Sequence, residues 1–150
     1  MGRARKERLA CPVCSQVVEN IRSTFCSNKC QMEAQYRTYI KRWKRGEETG
    51  NRCTGRSLQT SNHVRRYLGE KFGERCSKCG WCERNAVTGR VPVNVEHIDG
   101  NPYNTVESNL TLLCPNCHSL TPTYGNLNHG RGRTKGAVVQ REDTRMAFSE

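Results

Sequence analysis

The chain has 150 residues, room for one ordinary domain or two very small ones. Only 34% of its residues are hydrophobic and its formal net charge is +11, a balance that ordinarily leaves too little core to fold. No apolar run approaches the roughly 18 residues of a membrane-spanning helix, so no integral membrane protein is expected.

Ten cysteines can replace the missing core, through disulfides or through metal. The opening GRARKER is followed by no apolar stretch of signal-peptide length, so a secretory leader is not expected. Cysteines that stay in a reducing compartment point to metal rather than disulfides.

In chain order, residues 1–10 form a basic arm with Arg3, Arg5, Lys6 and Arg8. Cys11-Pro-Val-Cys14 and Cys26-Ser-Asn-Lys-Cys30 follow, and Ser15–Phe25 between them carries enough apolar residues for a short hairpin beneath a metal. Ser27 can cap a helix on which Tyr36, Tyr39, Ile40 and Trp43 share one face, ending near Gly46. Residues 11–46 therefore read as a zinc module plus an amphipathic helix, and 47–57 as a polar linker. A second helix is predicted over Ser61–Phe72, stopped by Gly73. Val91, Val93 and Val95 alternate with polar neighbours as a half-buried strand, and Asn109–Leu113 reads as a second strand after turns at Asp99–Ser108. Cys114-Pro-Asn-Cys117 opens a short helix with Pro115 at its first position, limited by Pro122. These elements fall in a domain over 58–128, and 129–150 reads as a basic flexible tail. The fold class is small, zinc-stabilised α+β.

Two residues between cysteines let both thiolates reach one ion, and two such pairs complete a tetrahedron. Cys76, Cys79, Cys114 and Cys117 meet that spacing, and Cys11, Cys14, Cys26 and Cys30 meet it with one longer knuckle. Two structural Zn²⁺ ions are expected, each closed by four sulfurs with no position left for catalysis. Cys82 offers a rival spacing with Cys79, but it and Cys53 are read as free thiols. Trp81 is read as packing beside the knuckle.

Between the second pair of knuckles lies Val95-Glu96-His97-Ile98-Asp99-Gly100-Asn101, then Glu107-Ser108-Asn109-Leu110, then Cys114-Pro115-Asn116-Cys117-His118. This series over Cys76–Asn126 resembles the HNH endonucleases, in particular the zinc-bearing members with a ββα-metal, treble-clef-like core, whose three name residues match His97, Asn109 and His118. The resemblance implies hydrolysis of DNA phosphodiesters to 5′-phosphate and 3′-hydroxyl ends. It implies His97 as general base, Glu96 and His118 as ligands of one divalent ion (Mg²⁺ or Mn²⁺), and Asn109 as brace of the loop bearing His97. The residue preceding the base is more often Asp in that family. Asp99 is the rival carboxylate, but Asp-Gly after a strand is ordinarily a turn, so Glu96 is preferred.

The basic balance suits nucleic acid, with double-stranded DNA the partner the resemblance implies, RNA a further possible ligand and no membrane. Lys41, Arg42, Lys44 and Arg45 around Trp43 read equally as phosphate contacts or as a solvated helix face. Arg131 and Arg133, spaced by glycine, read equally as backbone contacts or as part of a charged tail. His63 and His129 receive no catalytic role. The expected location is a bacterial or phage-infected cytoplasm. The competing function is a nucleic-acid-binding zinc protein without catalysis; a zinc deaminase is excluded because the His97-Ile98-Asp99 and CPNC patterns do not fit its motif.

Overall fold

A computed structural model of the chain describes residues 9–20, 22–54 and 57–128. The basic arm through residue 8, His129, Arg131, Arg133 and the rest of the tail, and the Cys53 side chain lie outside the described residues. The architecture is small α+β, with three α-helices and two two-stranded sheets among the described residues. No helix among them is long and apolar enough to cross a membrane. The chain divides into two units between Lys41 and Arg42.

In the first unit, the Cys11 knuckle is closed by Ser15 N–H to Cys11 O and Cys11 N–H to Gln16 O, both 2.8 Å. The hairpin expected within Ser15–Phe25 is replaced by one antiparallel bridge, Ala10 with Val17, flanking the knuckle itself. The knuckle turn already reverses the chain, so pairing occurs across it rather than beyond it. Helix α1 (Asn28–Lys44) begins where the Ser27 hydroxyl accepts from Cys30 N–H at 3.3 Å. Of the predicted stripe, Tyr36, Ile40 and, in the final turn, Trp43 are buried, and Tyr39 is half-buried.

The second unit contains a hairpin that the sequence did not announce. β1 (Asn51–Thr54) and β2 (Ser57–Thr60) pair antiparallel, Asn51 opposite Thr60, inside and just beyond the segment expected as linker. Its residues are mostly polar without alternation, and loop contacts meet it at its start. The Asn51 amide donates to Pro102 O at 2.9 Å, the Thr105 hydroxyl donates to Thr49 O, and the Trp43 indole N–H donates to Thr105 O at 3.0 Å. Helix α2 (Asn62–Phe72) has both predicted stops: Ser61 Oγ accepts from Val64 N–H at 3.2 Å, and Gly73 closes it at φ 73°.

β3 (Asn94–His97) and β4 (Leu110–Leu113) pair antiparallel, with His97 opposite Leu110 and Glu96 opposite Thr111. β3 is shorter than its valine alternation suggested. Val93 N–H bonds to Val91 O at 2.8 Å, a tight turn around Pro92, whose missing N–H and fixed φ suit it to that place. The turn shifts the inward face, so Val91, Val93 and then Glu96 are buried while Val95 is half-buried. α2 packs on β4, with Val64, Leu68, Leu110 and Leu112 fully enclosed. Each such side chain contributes about 1.5–3 kcal/mol of burial, a substantial share of stability for a chain this polar. α3 (Pro115–Ser119) follows β4 directly and packs against both β3 and β4.

Candidate active site and metal centres

Each cysteine group gathers four sulfurs within 4.8 Å of one another: Cys11, Cys14, Cys26 and Cys30, and Cys76, Cys79, Cys114 and Cys117. In the first group Cys14, Cys26 and Cys30 lie 3.4–3.6 Å apart, and in the second Cys79 and Cys114 are 3.8 Å apart. Tetrahedral zinc with bonds near 2.3 Å separates its sulfurs by about 3.8 Å, so both groups can hold the ion. Cys82 is exposed and outside the second group. Trp81 packs against the cluster of Cys76, Leu113 and Cys114, as expected.

The two groups share electrostatics. Backbone N–H groups, that of Cys26 foremost and then those of Val13 and Cys14, bring the Cys11 thiol down to about 6 against its own burial. At Cys76 burial pushes upward, but the N–H groups of Cys114, Cys79 and Lys78 outweigh it and also bring the thiol to about 6. A thiolate is thus favoured at the first cysteine of each leading knuckle before metal arrives.

The second group places the candidate chemistry. Cys114 caps α3, its Sγ accepting from Cys117 N–H at 3.4 Å, and the helix turn carries His118 beside β3. Glu96 is buried at 9% exposure, and its Oε2 lies 2.6 Å from His118 Nδ1. Nδ1 itself is buried and makes no hydrogen bond. A carboxylate oxygen and an imidazole nitrogen this close together are donor types suited to a hard or borderline divalent cation. His97, the next residue, has its Nε2 buried and also without a partner. Burial holds the His97 imidazolium below its usual range despite the opposing charges of Asp99 and Glu96, so the ring is neutral near pH 7.

Asp99 is used by its loop. Its Oδ1 accepts from Asn101 N–H and the Asn109 amide, both 2.8 Å, and its Oδ2 accepts from the Asn104 amide at 2.6 Å. Burial would raise this carboxyl, but those bonds outweigh it and hold it below the usual range. Asn109 ties the loop at both ends: Oδ1 accepts from Asp99 N–H at 3.0 Å, its amide donates to Asn104 O at 2.8 Å, and its carbonyl accepts from Ile98 N–H at 2.9 Å. Glu96 and His97 thus sit on β3, Asn109 ends the short 3-10 turn Glu107–Asn109 that leads into β4, and His118 lies on α3 in contact with Glu96, while Asp99 faces its own turn.

Sequence reasoning passed over Thr123, whose hydroxyl donates to Glu96 Oε1 at 2.9 Å, and Tyr124, whose ring meets the His118 ring edge-on at 5.2 Å. Nothing local in Thr121-Pro-Thr-Tyr announces either contact. Of the helix cations, Arg42 pairs with Glu47 and Glu48, Arg45 with Glu47, and Lys44 with Glu107, while Lys41 is exposed.

A histidine–carboxylate pair followed directly in sequence by a second histidine, with Cys114 and Cys117 on the element that carries His118, is an arrangement of the residue types that the HNH resemblance singles out. A 60-residue stretch of the chain is 47% identical to the H-N-H endonuclease F-TflIV of Escherichia phage T5, which bears out the resemblance. That match takes in 38% of this chain and 24% of the phage protein, so it spans about a quarter of the relative's length. No family model matches the chain, and no solved structure matches it.

Proposed function

We propose that the chain is a divalent-metal-dependent HNH endonuclease that hydrolyses phosphodiester bonds of DNA, with residues 58–128 as a ββα-metal, treble-clef-like nuclease domain. The β3–β4–α3 order supports that core. The observation that carries the proposal is the Glu96–His118 pair, 2.6 Å apart, immediately beside His97. The likeness to the phage endonuclease supports it independently.

In this reading Glu96 Oε2 and His118 Nδ1 hold one divalent ion, Mg²⁺ or Mn²⁺. When bound, the cation supplies positive charge for the scissile phosphate and the leaving 3′ oxygen. His97 accepts the proton of the attacking water. With Nε2 enclosed, Nδ1 is the ring nitrogen left to take it. Asn109 fixes the loop after His97, so the base approaches in one orientation. The products carry 5′-phosphate and 3′-hydroxyl ends. Zinc in both cysteine groups is structural, and residues 11–46 act as a module that positions DNA, with exposed Lys41 free to meet a phosphate. Arg42, Lys44 and Arg45 would exchange their carboxylate partners for phosphates on binding. The setting is a bacterial or phage-infected cytoplasm.

The test is plasmid cleavage by zinc-loaded protein with Mg²⁺ or Mn²⁺, beside His97→Ala of equal zinc content. Nicking or linearisation by wild type alone is expected. Salt-dependent DNA binding by both, with cleavage by neither, would establish the non-catalytic binding protein instead.

A further inference from the structure

We propose that Thr123 is a positioning residue that turns Glu96 toward His118 and so sets the affinity of the cation site. The inference rests on the reading of Glu96 and His118 as ligands. A glutamate side chain has several rotamers, and its carboxylate can present either oxygen. Here the two oxygens are separated in role. Oε1 takes the Thr123 hydroxyl at 2.9 Å, and Oε2 is left 2.6 Å from His118 Nδ1.

The same segment holds the other ligand. The Thr121 hydroxyl donates to His118 O at 2.9 Å, Thr121 N–H donates to that carbonyl at 3.1 Å, and the Tyr124 ring stands at 86° to the His118 ring. Thr123 has one hydroxyl proton. Glu96 is the closer acceptor, with Thr121 Oγ1 at 3.5 Å, so the proton goes to the carboxylate. Thr121–Tyr124, joined to α3 by one turn, thus clasps both donors from outside. Without the hydroxyl, a nearly buried carboxylate oxygen loses its partner, and Glu96 turns to recover one. Hydrogen-bond partners of metal ligands typically govern affinity by about 10–100-fold.

The experiment is Mn²⁺ titration of the zinc-loaded full chain, read by electron paramagnetic resonance and calorimetry, for wild type, Thr123→Val, Thr123→Ser and Glu96→Gln. Circular dichroism and zinc content verify the fold of each. Thr123→Val, equal in shape but without the hydroxyl, is expected to weaken Mn²⁺ binding at least tenfold, while Thr123→Ser stays near wild type. Cleavage by Thr123→Val is expected to recover at high Mn²⁺, which a general loss of structure would not allow. Wild-type affinity in Thr123→Val, with binding lost in Glu96→Gln, overturns the role of Thr123 alone. So does a Thr123→Ser defect equal to that of Thr123→Val. Absence of Mn²⁺ binding by wild type, or retention by Glu96→Gln, overturns the ligand reading beneath it.

Discussion

The two cysteine modules use one knuckle in two settings. At Cys11 and at Cys76 the fourth residue on donates to the first cysteine's carbonyl, at 2.8 and 2.9 Å, while that cysteine's N–H reaches the fifth residue's carbonyl, at 2.8 Å in both. The fourth residue is left-handed in both, Ser15 at φ 62° and Gly80 at φ 77°. The surroundings differ. Ser77 N–H is bonded to Leu112 O at 2.8 Å, which joins the second knuckle to β4, and Cys114 caps the helix bearing His118. The first unit, up to Lys41, has only Cys11, Val18, Tyr36 and Ile40 as buried apolar residues among those described. Cysteine spacing suffices to build a knuckle, whereas what grows from its second half decides whether it carries a site.

Removing one sulfur from each module breaks this comparison most severely. Cys114→Ser is expected to lose one of two zincs together with Mn²⁺ binding, cleavage and cooperative melting. Structural zinc accounts for about 10–16 kcal/mol of apparent binding free energy in small zinc modules. Cys26→Ser is expected to lose one zinc and leave Mn²⁺ binding intact. Zinc analysis with calorimetry reads both, and equal loss of Mn²⁺ binding would sink the division of labour. Next in size is His97→Ala, expected to retain both zincs and lose about 10²–10⁴ in cleavage rate, the range of a general base.

Within the second unit, Gly50 separates shape from conformation. At φ 68°, a Cβ there would lie 2.6 Å from the Trp43 indole nitrogen and 2.7 Å from Thr105 Oγ1, which hold each other in place through the Trp43–Thr105 bond. Gly50→Ala should cost about 2–4 kcal/mol in urea unfolding, combining a strained φ with overpacking. Gly46→Ala, at φ 73° with nothing within 4 Å, should cost only about 1 kcal/mol. Equal costs would show that Trp43 and Thr105 yield freely.

What could be read without the structure follows the range of the interactions. The knuckles, Ser61 and Gly73 at the ends of α2, and the Tyr36–Ile40–Trp43 stripe were legible because each is written in a few adjacent positions or one helical period. The β1–β2 hairpin was not, since its mostly polar strands carry no alternation and Asn51 meets Pro102 only through the fold. The turn at Pro92 was hidden by a valine alternation that continued across it. In the site, the motif named Glu96, His97, Asn109 and His118, and the fold puts Glu96 against His118 and Asn109 across the loop after His97. Thr123 lay 27 positions from its partner Glu96 with no pattern linking them.

Glu107 offers a smaller effect with a definite pH signature. Burial would raise its carboxyl, but Lys71 at 2.7 Å, the Tyr67 hydroxyl at 2.6 Å and Lys44 at 3.4 Å outweigh it and bring it to about 2. A depressed carboxylate contributes fully above its unfolded value near 4.5 and loses that contribution only as pH falls toward about 2. Its side chain is 28% exposed, so solvent screening reduces the contribution to about 1–2 kcal/mol. Glu107→Gln should therefore lower stability by the same amount at pH 6 and pH 8, where zinc thiolates remain intact. A cost that changes between them would assign the effect to another group.

The smallest effect returns to the knuckles. Ser15 holds at φ 62° a conformation that costs an L-residue about 1 kcal/mol, while Gly80 adopts its equivalent freely. Glycine also loses more freedom on folding, so the two effects partly cancel. Ser15→Gly is expected to tighten the first zinc by about 0.5 kcal/mol in chelator competition, and Gly80→Ser to loosen the second by about as much. No atom lies within 4 Å of a Cβ placed on Gly80, so that loss is conformational alone. Opposite signs of matched size would show one turn with interchangeable residues. A much larger loss at Gly80 would mean that strain there passes through Ser77 into β4, where the first knuckle has no counterpart.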